Sequence, residues 1–179
     1  MKDDKKKASR KDDTWDYIKI IIGAAIIAFC VNQFLLINAT IPSQSMEKTI
    51  MTGDRVFGSR LTYKLKDPER FDIVIFKYPD DESQLFIKRV IGLPGEKVEI
   101  KDGKVYINDS ETPLDDSFTP EEAVGDWGPK VVPEGHYFML GDNRNCSKDS
   151  RYWQNTFVAK DKILGKAKVR YFPNPKILE

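Results

Sequence analysis

Leu85-Phe86-Ile87-Lys88-Arg89-Val90-Ile91 is an apolar run with two adjacent cations set into it. At the two-residue period of a strand, Phe86, Lys88 and Val90 share one face, and Ile87, Arg89 and Ile91 share the other. An ammonium held between two apolar side chains loses hydration. That disfavours its charged form and lowers its pKa, by as much as roughly 3–5 units when desolvation is complete. Such a lysine is neutral near pH 7 and competent as a general base. The same pattern also describes an edge-strand lysine that keeps its head in water and blunts aggregation.

Outward from this run the period stays close to two. Arg55–Ser59 and Asp72–Phe76 read as strands before it. Glu96–Ile100 and Lys104–Ile107 follow it, joined by Lys101-Asp102-Gly103 with the Asp-Gly of a tight hairpin. His136–Leu140 and Lys166–Tyr171 supply two more, and Val158–Leu164 reads as a short helix stopped by Gly165. Residues 109–135 are polar, hold Pro113, Pro120, Pro129 and Pro133, and read as an insertion or long loop. The expected class is mainly β, a coiled or barrel-like sheet with little helix.

Tyr17–Ile37 is different: nearly every residue is apolar, and about 20 such residues can cross a bilayer as one helix. Asn32 interrupts it, Lys19 sits near one end where it can snorkel, and Trp15 and Tyr17 mark an interface. Lys2, Lys5, Lys6, Lys7, Arg10 and Lys11 precede it, so the positive-inside rule keeps the N-terminus cytoplasmic. The expected organisation is a cytoplasmic tail over 1–16, a single span over 17–37 and an extracytoplasmic β-rich domain over 38–179. A cleaved signal peptide fits less well, because the core is long and Asn38-Ala39-Thr40 offers a poor cut site.

Composition narrows the function. Residues 38–179 carry 22 basic and 23 acidic side chains, so no basic stripe for nucleic acid is present. One histidine and two separated cysteines fall short of a structural zinc site, and the aspartate clusters lack a calcium loop's spacing, so neither metal nor cofactor is expected. His136, in Pro133-Glu134-Gly135-His136-Tyr137, reads as a surface or turn residue. With so little histidine and cysteine, a serine–lysine pair is the open route to nucleophilic chemistry.

Ser45 follows the apolar span by eight residues, in Pro42-Ser43-Gln44-Ser45. Alone it reads by default as a loop serine. A nucleophilic serine needs a base within hydrogen-bond reach and donors where the oxyanion forms; Ser43 can offer its hydroxyl beside the Ser45 N–H. Gly141-Asp142-Asn143-Arg144-Asn145-Cys146-Ser147-Lys148-Asp149-Ser150-Arg151 is a third dense stretch, readable as a turn braced by ion pairs.

Together these stretches resemble type I signal peptidases, membrane-anchored Ser/Lys endopeptidases. The resemblance is carried by Pro42–Thr49, Arg70–Phe76, Lys88–Glu96 and Gly141–Arg151, in the family's order. It implies that Ser45 is the nucleophile and Lys88 the base, with the Ser43 hydroxyl and Ser45 N–H as oxyanion hole. It further implies that Ser147 orients Lys88, while Asp142, Arg144, Asp149 and Arg151 support the site. Ile41, Met46, Phe86 and Ile87 are expected to line the pockets for small residues at the first and third positions before the cut. The implied fold is the coiled β-sheet shared with self-cleaving repressor domains. The implied partners are signal peptides of secreted preproteins, membrane lipid and the secretion translocon, at a bacterial cell membrane. Lys48 and Gln44 depart from the family's usual proline and glycine. The single span and short insertion resemble the Gram-positive subgroup. An inactive membrane-anchored scaffold or binding protein on the same fold is the alternative.

Overall fold

The computed structural model describes residues 2–178, with side chains described from Thr14 onward apart from residue 32. The expectations placed on Lys2, Lys5, Lys6, Lys7, Arg10, Lys11 and Asn32 lie outside the described side chains. The chain forms two compact units, residues 1–36 and 37–179.

The first unit is helix α1, Lys2–Phe34. Its window Thr14–Val31 has a mean hydropathy of 1.7 and no residue buried against the protein, long and apolar enough for a bilayer. Lys19 pairs with Asp16 at 3.0 Å. The helix ends short of the expected Ile37, because Leu36–Thr40 turns into strand β1, and Ile37 is buried in the core of the second unit.

The second unit is mainly β, as the two-residue period implied. Its strands are β1, β2 (Arg55–Ser59), β3 (Ile73–Tyr78), β4 (Asp81–Gly92), β5 (Lys97–Lys101), β6 (Lys104–Ile107), β7 (Trp127–Val131), β8 (His136–Leu140), β9 (Val158–Ala159), β10 (Ile163–Phe172) and β11 (Lys176–Ile177). A one-turn helix α2, Thr62–Leu65, lies between β2 and β3. Among the described residues there is an eight-stranded sheet in the order β1-β2-β10-β3-β4-β8-β9, with β11 on β10, and a three-stranded sheet β6-β5-β7. Register shifts in β10 between Ala167 and Val169 and between Arg170 and Phe172 are bulges that bend and twist the large sheet. Asp102 and Gly103, both at positive φ, turn β5 into β6 as the Asp-Gly pair predicts.

Two expectations change. Residues 109–135 include β7, and Pro129 is tolerated there because β7 is an edge strand with no further ladder to donate to. Val158–Leu164 is not an α-helix. It is β9, a single 3₁₀ turn at Lys160–Lys162, and the start of β10. Val158 and Ile163 are drawn into the buried cluster around Phe76 and Trp153, so tertiary packing overrides the local pattern.

The strand alternation separates two cores. Ile87 faces a cluster with Ile41, Met46, Ile50 and Ile75. Phe86 faces another with Phe76, Tyr78 and Trp153. Fully burying each such side chain contributes roughly 1.5–3 kcal/mol, which holds β4 in one register. Lys88 is thereby fixed opposite Val74, one residue before β4 begins to pair with β8 on its other side.

Candidate active site

Lys88 emerges from the centre of β4, only 3% exposed. Its ammonium donates to Ser45 Oγ at 2.6 Å and to the Ile87 carbonyl at 3.2 Å, and stands 5.4 Å from the Phe86 ring centroid. Burial pushes its pKa down to about 8, against the opposing pull of Asp149 and Asp142. Of the two readings the apolar run left open, the desolvated lysine is the one found; its head does not reach water.

Ser45, 4% exposed, sits in the turn after β1. Met46 and Ile50, both fully buried, pin that turn from below, and Ile50 N–H closes it on the Met46 carbonyl. From the other side the Asn143 backbone N–H donates to the Ser45 carbonyl at 3.1 Å, and its side-chain amide donates to the Gln44 carbonyl at 3.2 Å. The Ser43 hydroxyl lies 3.2 Å from Ser45 Oγ. Among the described residues, the Ser45 backbone N–H is engaged by no protein acceptor. Gly141 is required by close approach: a methyl group there would land on Ser147 Oγ and the Ser45 carbonyl oxygen.

The loop after β8 is a net of ion pairs. Asp149 grips Arg151 through both carboxylate oxygens at 2.8 and 2.9 Å and accepts the Gly141 N–H at 3.1 Å. Arg151 donates onward to the Arg144 carbonyl, and Arg144 reaches the Gly141 carbonyl and Asp116. Asp142 is fully buried and takes a bidentate contact from Arg89 at 2.8 and 2.7 Å, plus the Thr49 hydroxyl at 2.5 Å. Asp142 thus ties this loop to Thr49 in the Ser45 turn, while Arg144, Asp149 and Arg151 brace the loop itself around Gly141.

Arg89 was not among the expected site residues. It also donates to the Phe71 carbonyl and stands 4.2 Å from the Phe118 ring centroid. Its signal was its place beside Lys88 in an apolar strand: a buried guanidinium requires a buried carboxylate, and Asp142 is that partner.

Two expected residues stand elsewhere. Ser147 is buried, but its hydroxyl makes no hydrogen bond, so it does not hold Lys88 by a direct bond here. Its side chain lies instead against Gly141. Met46 does not line the cleft beside the dyad; completely buried, it belongs to the core beneath the turn. The turn that presents Ser45 upward sends its neighbour down. Ile41, Phe86 and Ile87 do line that cleft, which has a volume of about 680 Å³ and includes Ser43, Ser45 and Lys88 on its wall. His136, hydrogen-bonded to the Glu134 carbonyl, lines a separate cavity and not this one.

A nucleophile-type hydroxyl in contact with a buried, partly deprotonated amine, with a free N–H and a second hydroxyl beside it, is equipped for acyl transfer. The sequence matches the family described as "Signal peptidase, peptidase S26" across residues 14–172. It is 40% identical to a probable signal peptidase I-2 of a Synechocystis species, covering 97% of this chain and 80% of that protein. It is 33% identical to a signal peptidase I of Bacillus amyloliquefaciens, covering 97% of this chain and 96% of that one. A solved signal peptidase I structure from Enterococcus faecalis V583 shares 39% identity over 56% of this chain and 97% of its own, with a TM-score of 0.47.

Proposed function

The chain belongs to the signal peptidase family, peptidase S26, and on that premise we propose that Ser45 is its nucleophile and Lys88 its general base. It is a signal peptidase I-type serine endopeptidase, a hydrolase that removes signal peptides from preproteins. The observation that carries the assignment of the pair is the 2.6 Å contact between Lys88 Nζ and Ser45 Oγ inside a desolvated pocket.

Neutral Lys88 accepts the Ser45 proton as Oγ attacks the scissile carbonyl. The developing oxyanion is held by the Ser45 N–H and the Ser43 hydroxyl, each such donor typically being worth about 10²–10³ in rate. Protonated Lys88 then delivers its proton to the leaving amine, and water attacking by the same route releases the signal peptide's new carboxyl end. Asp142–Arg89 and Asp149–Arg151 act on the turn that carries Ser45 and touch no reacting atom. The substrate lies extended along β4, its small residues directed towards Ile41 and Ile87.

Helix α1 serves as the membrane anchor, with the basic tail cytoplasmic and the domain from residue 38 onward on the far side of a bacterial cell membrane. Ten residues separate Phe34, where helix α1 ends, from Ser45, a reach of at most about 40 Å, so cleavage takes place within that distance of the lipid surface, where a translocon delivers its cargo. The test is cleavage of a preprotein bearing Ala-x-Ala by the full chain in detergent. Wild type cleaves; Ser45→Ala and Lys88→Ala do not. Persistence of cleavage in either variant sinks the assignment of the pair. Absence of cleavage by wild type favours the scaffold reading.

A further inference from the structure

Two side chains on the wall of the catalytic cleft, Cys146 and Lys148, have no part in the chemistry above. Lys148 is exposed, and its ammonium stands 5.1 Å from the ring centroid of Tyr78. Among the described residues it has no carboxylate partner. The Tyr78 ring stacks on Phe86 at 4.4 Å, so the ammonium and Phe86 flank the same aromatic platform. Asp80 lies beside that platform, where it accepts the Tyr78 hydroxyl and the backbone N–H groups of Gln154 and Asn155 and forms no ion pair with Lys148. Lys148 therefore presents a positive charge held in no ion pair to whatever fills this side of the cleft.

Which part of a substrate meets that charge follows from the alternation of β4. Ile87 faces the cluster that contains Ile41, and Phe86 faces the opposite cluster with Tyr78. A peptide lying extended along β4 alternates in the same way. Once the first and third residues before the cut are directed to Ile41 and Ile87, the residue between them is directed to the Phe86–Tyr78–Lys148 side. We propose that Lys148 selects this middle residue by charge, favouring an acidic side chain and disfavouring a basic one between the two small residues. The proposal rests on the extended-substrate reading above and adds to it a specificity that the dyad does not supply.

The test compares three peptides that differ only between the two alanines, Ala-Glu-Ala, Ala-Gln-Ala and Ala-Lys-Ala, cleaved by the full chain in detergent at low ionic strength. A water-exposed charge pair is worth roughly two- to fivefold, and a like-charge pair costs about the same. The Glu peptide should therefore exceed the Lys peptide in kcat/KM by roughly tenfold, and added salt of about 1 M should shrink that ratio towards one. Lys148→Gln should bring the ratio below about twofold, and Lys148→Glu should invert it. Because each ratio is measured within one variant, a change in folding or overall activity cancels. A wild-type ratio near one, or a ratio unaltered in Lys148→Gln, overturns the role of Lys148 while leaving the dyad untouched. A charge preference that appears at a neighbouring position instead of the middle one overturns the placement. Failure to cleave all three peptides overturns the extended-substrate reading and this proposal with it.

Discussion

The buried ammonium of Lys88 makes both activity and stability depend on pH, in a window set by its pKa of about 8 against an ordinary lysine value of 10.5. For activity, the proposed base is about one-tenth neutral at pH 7, against roughly one part in 3,000 for an unperturbed lysine, so burial should be worth about 300-fold at that pH. kcat/KM should rise close to tenfold per pH unit below 7 and level off above about 9. For stability the sign follows from proton counts. The unfolded chain keeps this lysine protonated up to about 10.5, whereas the folded chain releases the proton near 8. Below 8 both states are protonated and the cost of burying the charge is fully present. Between 8 and 10.5 the unfolded state holds more protons, so folding becomes more favourable as pH rises, by about 3 kcal/mol in total. Lys88→Met removes that cost. It also loses one hydrogen bond to Ser45, worth about 1 kcal/mol, and should be more stable than wild type at pH 7 by about 2 kcal/mol, with the advantage gone near pH 10. Denaturant titrations of both proteins in detergent, followed by the emission of buried Trp153, measure the difference at each pH. An activity midpoint near 10.5, or a stability difference that does not change between pH 7 and 10, would refute the desolvation argument.

Three further outcomes follow from the geometry. Ser43→Ala should lower kcat by about 10²–10³ with KM little changed, because its hydroxyl is needed only when the oxyanion forms; steady-state kinetics on one peptide decide it. Arg89→Met should destabilise the domain by about 3–5 kcal/mol by leaving Asp142 charged and buried, and the double variant Arg89→Met, Asp142→Leu should recover most of that loss, as equilibrium unfolding will read. Met46→Ala should cost about 2–5 kcal/mol of stability, as for a core side chain; a loss below about 1 kcal/mol would return Met46 to the cleft wall.

Local features carried much of this. The apolar run Tyr17–Ile37 announced a membrane-long helix, and the alternation in Leu85–Ile91 announced a strand with Lys88 on its Phe86 face, though not whether that lysine is buried or reaches water. The Asp102-Gly103 pair announced its hairpin. These are readable because each depends on the chemistry of neighbours along the chain: hydropathy over 20 residues, or the two-residue period of a strand. Even the buried guanidinium of Arg89 was implicit in the same run, though not its partner.

Contacts between distant segments were a different matter. Whether Ser45 was a nucleophile-type serine or a loop residue depended on Lys88, 43 positions away, arriving at 2.6 Å. That Met46 points down while Ser45 points up is decided by the core formed with Ile41, Ile50 and Ile87. The fate of Val158–Leu164, helical by local pattern, was settled by packing against Phe76 and Trp153. Lys148 stands beside Ser45, Lys88 and Phe86 only because distant segments come to share one cleft, with Tyr78 packed behind Phe86. The sequence by itself determined which residues could do chemistry and where the long helix and most of the strands would lie, since propensity and hydration act locally. Tertiary structure decided which of those residues meet and how far each loses water, because desolvation and hydrogen-bond geometry exist only once the strands have packed.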